Sequence, residues 1–160
     1  MLAQVKERLG TELERVSREL ASSMMTAPDG SRQTEVVLSD AERKALQIRI
    51  RRLGQLVAGL PSLADDSLPA DRAGYGTEVE VEDLQSGRRE RLLLVTGEVR
   101  DLGENHVRLG SPLGQALLGR RAGERITVDL PQGRRNLRIV SLVTLPRMLG
   151  LTRARARARA

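Results

Sequence analysis

The sequence LAQVKERLGTELERVSRELASSM, residues 2–24, decides the first half of the fold. Its apolar side chains recur at spacings of three and four residues, at Leu2, Val5, Leu9, Leu13, Val16, Leu20 and Met24. This spacing places apolar side chains on one face of an α-helix and leaves charged side chains on the other. We therefore expect a helix of about 23 residues, roughly 35 Å long, that buries its stripe against another element.

A second helix follows after a break. The break is predicted at Thr26–Ser31, because Pro28 cannot continue a helix and Asp29-Gly30 is typical of a turn. Ser39 and Glu42 form a capping box that predicts a helix start near residue 39, with Val36 and Val37 in an extended tip; a start nearer Gln33 stays open. The apolar residues Leu46, Ile50, Leu53 and Leu60 continue the pattern, and Pro61 ends it.

Two such helices joined by a short connection predict an antiparallel helical hairpin, a coiled coil, over residues 1–60. A dimeric coiled coil without a hairpin is disfavoured by the turn residues Pro28–Gly30. Residues 61–75, with two prolines and three aspartates up to Arg72, are expected to form a linker.

From Gly76 the apolar period changes to two, which is typical of strands. Strands are predicted at Thr77–Glu82, Arg91–Thr96, His106–Leu109, Arg125–Leu130 and Asn136–Val143, with a short helix at Pro112–Leu118. Five strands and one short helix in about 70 residues predict a small α+β domain, residues 76–146, and the fold class α+β for the chain.

Composition excludes several kinds of site. The chain has no Cys, so disulfides, thiolate catalysis and Cys-based zinc sites are excluded. Tyr75 is the one aromatic residue, so an aromatic-lined pocket for a small-molecule substrate is not expected. No apolar run approaches the ~20 residues of a membrane span, so we expect no membrane partner and a cytoplasmic location.

The positive charge is concentrated at the end of the chain. Net charge is +6, and removing the four arginines Arg153, Arg155, Arg157 and Arg159 leaves +2 on the rest. Residues 147–160 are predicted to form a basic, disordered tail. The tail is either a solvated arm or an electrostatic tether to nucleic acid or an acidic surface.

The second half of the chain resembles a known family. The stretch SPLGQALLG at residues 111–119, followed by Gly123-Glu124, Val128 and Pro131-Gln-Gly133, is similar to the C-terminal signature of the Gre transcription factors. Gly76–Val81 resembles the family's opening strand, and Glu7–Leu20 its first coil helix. The likeness is good over residues 70–145 and looser over the hairpin.

This resemblance implies a C-terminal domain of FK506-binding-protein-like topology that docks on bacterial core RNA polymerase at its secondary channel. It places Ser111, Pro112 and Leu113 near the docking surface. It implies that the hairpin enters the channel and modulates elongation or initiation. In family members that support cleavage, two acids at the tip help the polymerase hold a second Mg²⁺, for which carboxylate oxygens are suitable ligands.

The tip of this chain departs from that pattern. Aligned without gaps from the second helix, the family motif falls on residues 28–33, so that Asp29 matches an acid while Arg32 stands where the other acid is expected. A cation repels Mg²⁺. The tip residues Asp29, Arg32 and Glu35 therefore predict no metal of the protein's own, with Asp29 as the candidate contact to an Mg²⁺ shared with the polymerase.

Three interpretations remain. The first is a regulator of RNA polymerase without strong transcript cleavage, and not an enzyme in its own right. The second is a cleavage-competent factor with a remodelled acidic tip, in which Glu35, Asp40 or Glu42 compensates. The third is a relative of the regulators of nucleoside diphosphate kinase, which share the C-terminal block but have a shorter coil.

Overall fold

The computed structural model describes residues 1–24, 38–63, 68–96 and 105–151. Its elements are α1 (Leu2–Met24), α2 (Asp40–Gly59), a 3-10 turn (Leu60–Ser62), β1 (Glu78–Asp83), β2 (Arg89–Val95), β3 (His106–Arg108), α3 (Pro112–Leu117), β4 (Arg125–Leu130), β5 (Gly133–Val143) and α4 (Leu145–Met148). An N-terminal helical region is thus followed by a curled sheet with a short helix, and the α+β fold class is confirmed. The FK506-binding-protein-like topology stays a prediction.

The start of α2 is where the capping box places it. Ser39 has extended backbone, its hydroxyl accepts the N–H of Glu42, and the Glu42 carboxylate accepts the N–H of Ser39 at 2.7 Å. Leu38 precedes the helix, so the alternative start near Gln33 is wrong. Capping decides the outcome because the two side chains satisfy backbone donors that a helix start otherwise leaves unpaired.

The two helices of the predicted hairpin pack against each other. A salt bridge joins Glu12, midway along α1, to Arg49, midway along α2. The apolar stripes meet between the helices, where Val5, Leu9 and Val16 pack with residues of α2 in one buried cluster.

The sheet has the strand order β3-β2-β1-β5-β4, with β2 and β3 parallel and the other pairs antiparallel. Val79 and Val81 of β1 lie in the core with Leu137 and Ile139 of β5, and α3 closes this face through Leu117. The glutamates of β1 lie on the opposite face, where Glu82 pairs with Arg138. The alternation read from Thr77–Glu82 therefore does separate a core face from a charged face.

Strand bounds differ from the sequence expectation where charged residues pair across the sheet. β2 begins at Arg89 and not at Arg91, because Arg89 pairs in register with Glu82 of β1. β5 begins at Gly133 and not at Asn136, because Gly133, with φ of 130°, closes a tight turn and pairs with Leu130. Apolar runs identify the buried part of a strand and miss its polar ends.

Two segments expected outside the folded parts are packed into them. Residues 68–75, expected in the linker, bury Leu68, Ala73 and Tyr75. Residues 147–151, expected in the tail, contain the end of α4, and Leu149 and Leu151 pack against the hairpin cluster. Prolines and arginines in and around these segments indicate loops. The free energy gained by burying their apolar side chains instead packs both segments against the folded parts.

Candidate functional site

The docking residues predicted from the sequence lie at the start of α3. Ser111 is its N-cap: the hydroxyl accepts the N–H of Gly114 at 3.1 Å and donates to the carbonyl of Arg108 at 2.7 Å. Pro112 occupies the first turn and is exposed, while Leu113 is half-buried against the sheet core. Ser111 is thus used to build the helix, and Pro112 is the most exposed of the three.

α3 is held against the sheet at short range. A Cβ on Gly114 would lie 2.0 Å from the carbonyl oxygen of Arg108, so the helix backbone rests directly on the end of β3. Gln115 donates to the carbonyl of Leu109 at 2.8 Å. Leu118, just after α3, remains 44% exposed. Pro112 at the start of α3 and Leu118 just after its end are therefore exposed apolar residues on a helix that packs closely against the sheet.

Two arginines and one ordered carboxylate follow Leu118 in the chain. The N–H of Arg121 donates to the Glu124 carboxylate at 2.5 Å, and this bond, with a smaller effect of Arg120, lowers the pKa of Glu124. Both arginines are exposed. The combination of exposed apolar residues and exposed cations suits a protein surface that carries apolar and acidic side chains.

A second ordered carboxylate lies in the β1–β2 turn. Asp83 accepts the backbone N–H groups of Ser86 and Gln85 and an N–H of Arg135. These bonds, that of Ser86 first, hold the pKa of Asp83 at about 2, against an ordinary 3.8. Arg135 also reaches Glu90 at 2.8 Å, so that one guanidinium joins three strands. This cluster stabilises the turn rather than forming a reactive site.

A groove of about 530 Å³ lies between α1, α2 and α4. Leu53, Leu56 and Leu149 contribute to its lining, and Ile48, which is 69% exposed, stands at its edge. Arg49 and Arg52, which also line it, are paired with Glu12 and Glu78. This groove was not predicted, because α4 falls in the segment expected to be tail.

The predicted tip residues Asp29, Arg32 and Glu35 lie outside the described residues, as do the tail arginines Arg153, Arg155, Arg157 and Arg159. The structure does describe both flanks of the tip, because α1 runs to Met24 and α2 begins at Asp40. Of the acids near the tip, Glu42 is used in the capping box, and its bonds to Ser39 lower its pKa.

The described residues contain neither a metal-ligating cluster nor a membrane-spanning helix. Over the ranges 1–24, 38–63, 68–96 and 105–151, no three metal-ligating side chains come together. None of the helices in those ranges combines the length and the apolar character needed to cross a membrane.

Comparison with known proteins points in one direction. Residues 68–143 match the family described as "Transcription elongation factor, GreA/GreB, C-term". The chain is 31% identical over 142 residues to transcription elongation factor GreA of Nitratidesulfovibrio vulgaris, covering 85% of this chain and 89% of that protein. It is 28% identical over 144 residues to transcription inhibitor protein Gfh1 of Thermus thermophilus, with 85% and 91% covered.

Among solved structures, the crystal structure of GreA factor homolog 1 (Gfh1) of Thermus thermophilus is 27% identical. The match covers 88% of this chain and 91% of that one. The TM-score of this match is 0.39.

Proposed function

The chain belongs to the GreA/GreB family of transcription elongation factors, and on that premise we propose that it regulates transcription by binding bacterial core RNA polymerase at the secondary channel, without strong transcript cleavage. The sheet domain docks through the surface around Pro112 and Leu118, and the hairpin projects into the channel. The protein acts by occupancy and is not an enzyme in its own right.

The relatives support a polymerase-linked role and leave its sign open. One is named an elongation factor and another a transcription inhibitor, and the match to each covers 85% of this chain. That share cannot be reached by the C-terminal domain alone, so it includes residues of the hairpin. It favours a long-coil Gre factor over the shorter regulators of nucleoside diphosphate kinase.

The observation that carries the non-cleaving interpretation is Arg32 in the sequence of the tip. A second Mg²⁺ in the polymerase active centre needs carboxylate oxygens, and a guanidinium is a permanent cation without a metal-ligating atom. Glu42 is a weak substitute because its carboxylate already accepts two bonds from Ser39. Asp29 alone would then contact an Mg²⁺ held mainly by the polymerase, and the protein has no metal of its own.

The decisive experiment adds the protein to stalled, backtracked core polymerase with Mg²⁺ and follows the length of the RNA. We expect binding with little RNA shortening. The variant Arg32→Glu should increase cleavage, because it supplies a carboxylate where a cation stood. Arg18→Glu is the matched control: it makes the same charge change on an exposed position of α1 and should leave cleavage unchanged.

The possible outcomes separate the interpretations. Efficient RNA shortening by the unmodified protein would establish the cleavage-competent alternative with a remodelled tip. Absence of binding to core polymerase would contradict both polymerase-linked interpretations.

The arginine tail extends this proposal. Four arginines in the last eight residues favour an electrostatic contact with nucleic acid or an acidic surface of the complex. Removing residues 152–160 should therefore weaken polymerase binding at low salt and matter less at high salt. An equal loss of affinity at every salt concentration would refute an electrostatic tether.

A further inference from the structure

The hairpin meets the sheet domain at the one aromatic side chain of the sequence. Tyr75 lies three residues before β1 and is 1% exposed. Its ring belongs to the same buried cluster as Leu9 of α1, Leu56 of α2 and Leu145 at the start of α4. Tyr75 is therefore buried in a cluster to which α1, α2 and α4 all contribute.

The hydroxyl of Tyr75 closes the end of α2. It donates to the carbonyl of Leu56 at 2.9 Å. The last turn of α2 tightens there, since the N–H of Leu60 bonds to Val57 and the next residue is Pro61, which has no N–H. Carbonyl groups at a helix end need partners from outside the helix, and Tyr75 supplies one from the domain.

The ring also lies against the backbone of α2 at very short range. A Cβ on Gly59 would lie 2.2 Å from the Tyr75 hydroxyl oxygen and 2.8 Å from Cζ. No side chain fits there unless Tyr75 moves. The hydrogen bond sets the direction from the Tyr75 hydroxyl to the Leu56 carbonyl, and the close contact sets the distance between the ring and Gly59. Together they restrain how α2 is oriented on the domain.

One more contact connects α2 to the domain, and another holds α4 against the segment before β1. Arg52 of α2 reaches Glu78 of β1 at 2.6 Å. Leu145 lies over Gly76, where a Cβ would be 2.8 Å from the leucine side chain. The end of α2 is thus held along two turns rather than at a single pivot.

We propose that Tyr75, seated on Gly59, is a positioning residue that fixes the direction in which the hairpin leaves the sheet domain. α1 has 23 residues, which makes a lever of about 35 Å. A rotation of about 10° at its base would move the far end by roughly 6 Å. A displacement of that size exceeds the roughly 3 Å of a hydrogen bond or ion pair, so it would separate the tip from the groups that it contacts on a partner.

The absence of cysteine makes the angle measurable. Ala21→Cys, near the far end of α1, and Ala122→Cys, in the domain, are both exposed positions for spin labels. The distance between the labels, measured by double electron–electron resonance, reports the direction of the hairpin. With Tyr75 and Gly59 intact we expect one narrow distribution.

Three variants test the proposal. Gly59→Ala should shift the mean of the distance distribution, or increase its width, by at least about 5 Å, because the new Cβ forces the Tyr75 ring away from α2. Tyr75→Phe, which keeps the ring and removes the hydrogen bond, should broaden it less. Gly54→Ala is the control in the same helix, since a Cβ there meets no atom within 4 Å, and it should leave the distribution unchanged.

These distances are measured far below the melting temperature, on protein whose helical circular dichroism matches that of the parent. A folded Gly59→Ala variant with the parent's distribution would overturn the proposal. Should Gly59→Ala not fold, Tyr75→Phe decides: an unchanged distribution in that variant would overturn it equally.

The functional consequence rests on the proposed function and is tested separately. Gly59→Ala should keep its affinity for core polymerase within about threefold, because the docking surface is untouched, and lose about tenfold of its effect on transcription, because the tip is displaced. Loss of polymerase binding by the parent protein would refute the proposed function while leaving the distance measurement valid. An unchanged effect on transcription in a variant with a displaced hairpin would refute the positioning role.

Discussion

Truncation of Leu56 should cost the fold about 3 kcal/mol. Leu56 is fully buried in the cluster that joins α1, α2 and the start of α4. Leu56→Ala removes three carbon atoms, worth roughly 0.8 kcal/mol each when buried, and leaves a cavity that adds about 1 kcal/mol. For a chain of this size, that loss lowers the melting temperature by about 6–12 °C.

The same chemical change on the surface provides the control. Ile48 lies two turns away in α2 and is 69% exposed. Ile48→Ala also removes three carbon atoms, but little of their area is buried, and alanine gains about 0.4 kcal/mol of helix propensity. Its stability should stay within about 0.5 kcal/mol of the parent.

Urea denaturation followed by circular dichroism measures both variants. The midpoint should fall sharply for Leu56→Ala and hardly move for Ile48→Ala. A loss below about 1 kcal/mol at Leu56 would mean that the hairpin is not packed against the domain as described. A loss above about 1 kcal/mol at Ile48 would mean that the exposed edge of the groove is covered in solution.

Three further outcomes are expected. Because the pKa of Asp83 is lowered to about 2 from 3.8 in the folded state, its contribution to stability is complete above about pH 4 and lost as pH falls toward 2. Acid pH should therefore lower the melting temperature of the parent more than that of Asp83→Asn, as measured by thermal unfolding. Equal losses in the two proteins would refute this. Ser111→Ala should cost about 1 kcal/mol in chemical denaturation, whereas Ser111→Thr, which keeps the capping oxygen, should cost less. A chain ending at Leu151 should melt within about 2 °C of the parent, whereas one ending at Pro146 should melt clearly lower, because Leu149 and Leu151 pack on the hairpin.

Local chemistry explains which parts of the fold were predictable. Ser39 and Glu42 lie three residues apart and satisfy each other's backbone donors, so the start of α2 follows from the sequence alone. β4 has the predicted bounds because polar and apolar side chains alternate without interruption from Arg125 to Leu130, so that exposed positions alternate with buried or half-buried ones along the whole strand. In both cases the interactions that set the bounds of the element lie within that element or between residues close together in the sequence.

The missed features depend on contacts that are distant in the chain. The burial of Leu68 needs the hairpin, and the packing of Leu149 needs both α1 and α2. The strand order, with β5 between β1 and β4, depends on pairings such as Val81 with Ile139. No local pattern encodes such partners. Residues 68–75 and 147–151 were therefore assigned to linker and tail, because prolines and charged residues lie near them.

The candidate site divides in the same way. The cap formed by Ser111, with Pro112 in the first turn of α3, is a local arrangement that a Ser-Pro pair favours. The polymerase contacts of Pro112 and the role of Arg32 stay predictions, since they depend on a partner. The groove beside Ile48 was missed because one of its walls is α4.

The position of Tyr75 explains why a chain without other aromatics keeps this one. A leucine could fill most of the volume between the hairpin and the domain, as leucines do elsewhere in that cluster. It could not reach the carbonyl of Leu56, and a buried carbonyl without a donor costs about 1–3 kcal/mol. A tyrosine provides a flat ring that fits against Gly59 and a hydroxyl that reaches the helix end. The single ring of the chain therefore acts together with the Arg52–Glu78 ion pair in setting the direction of the hairpin.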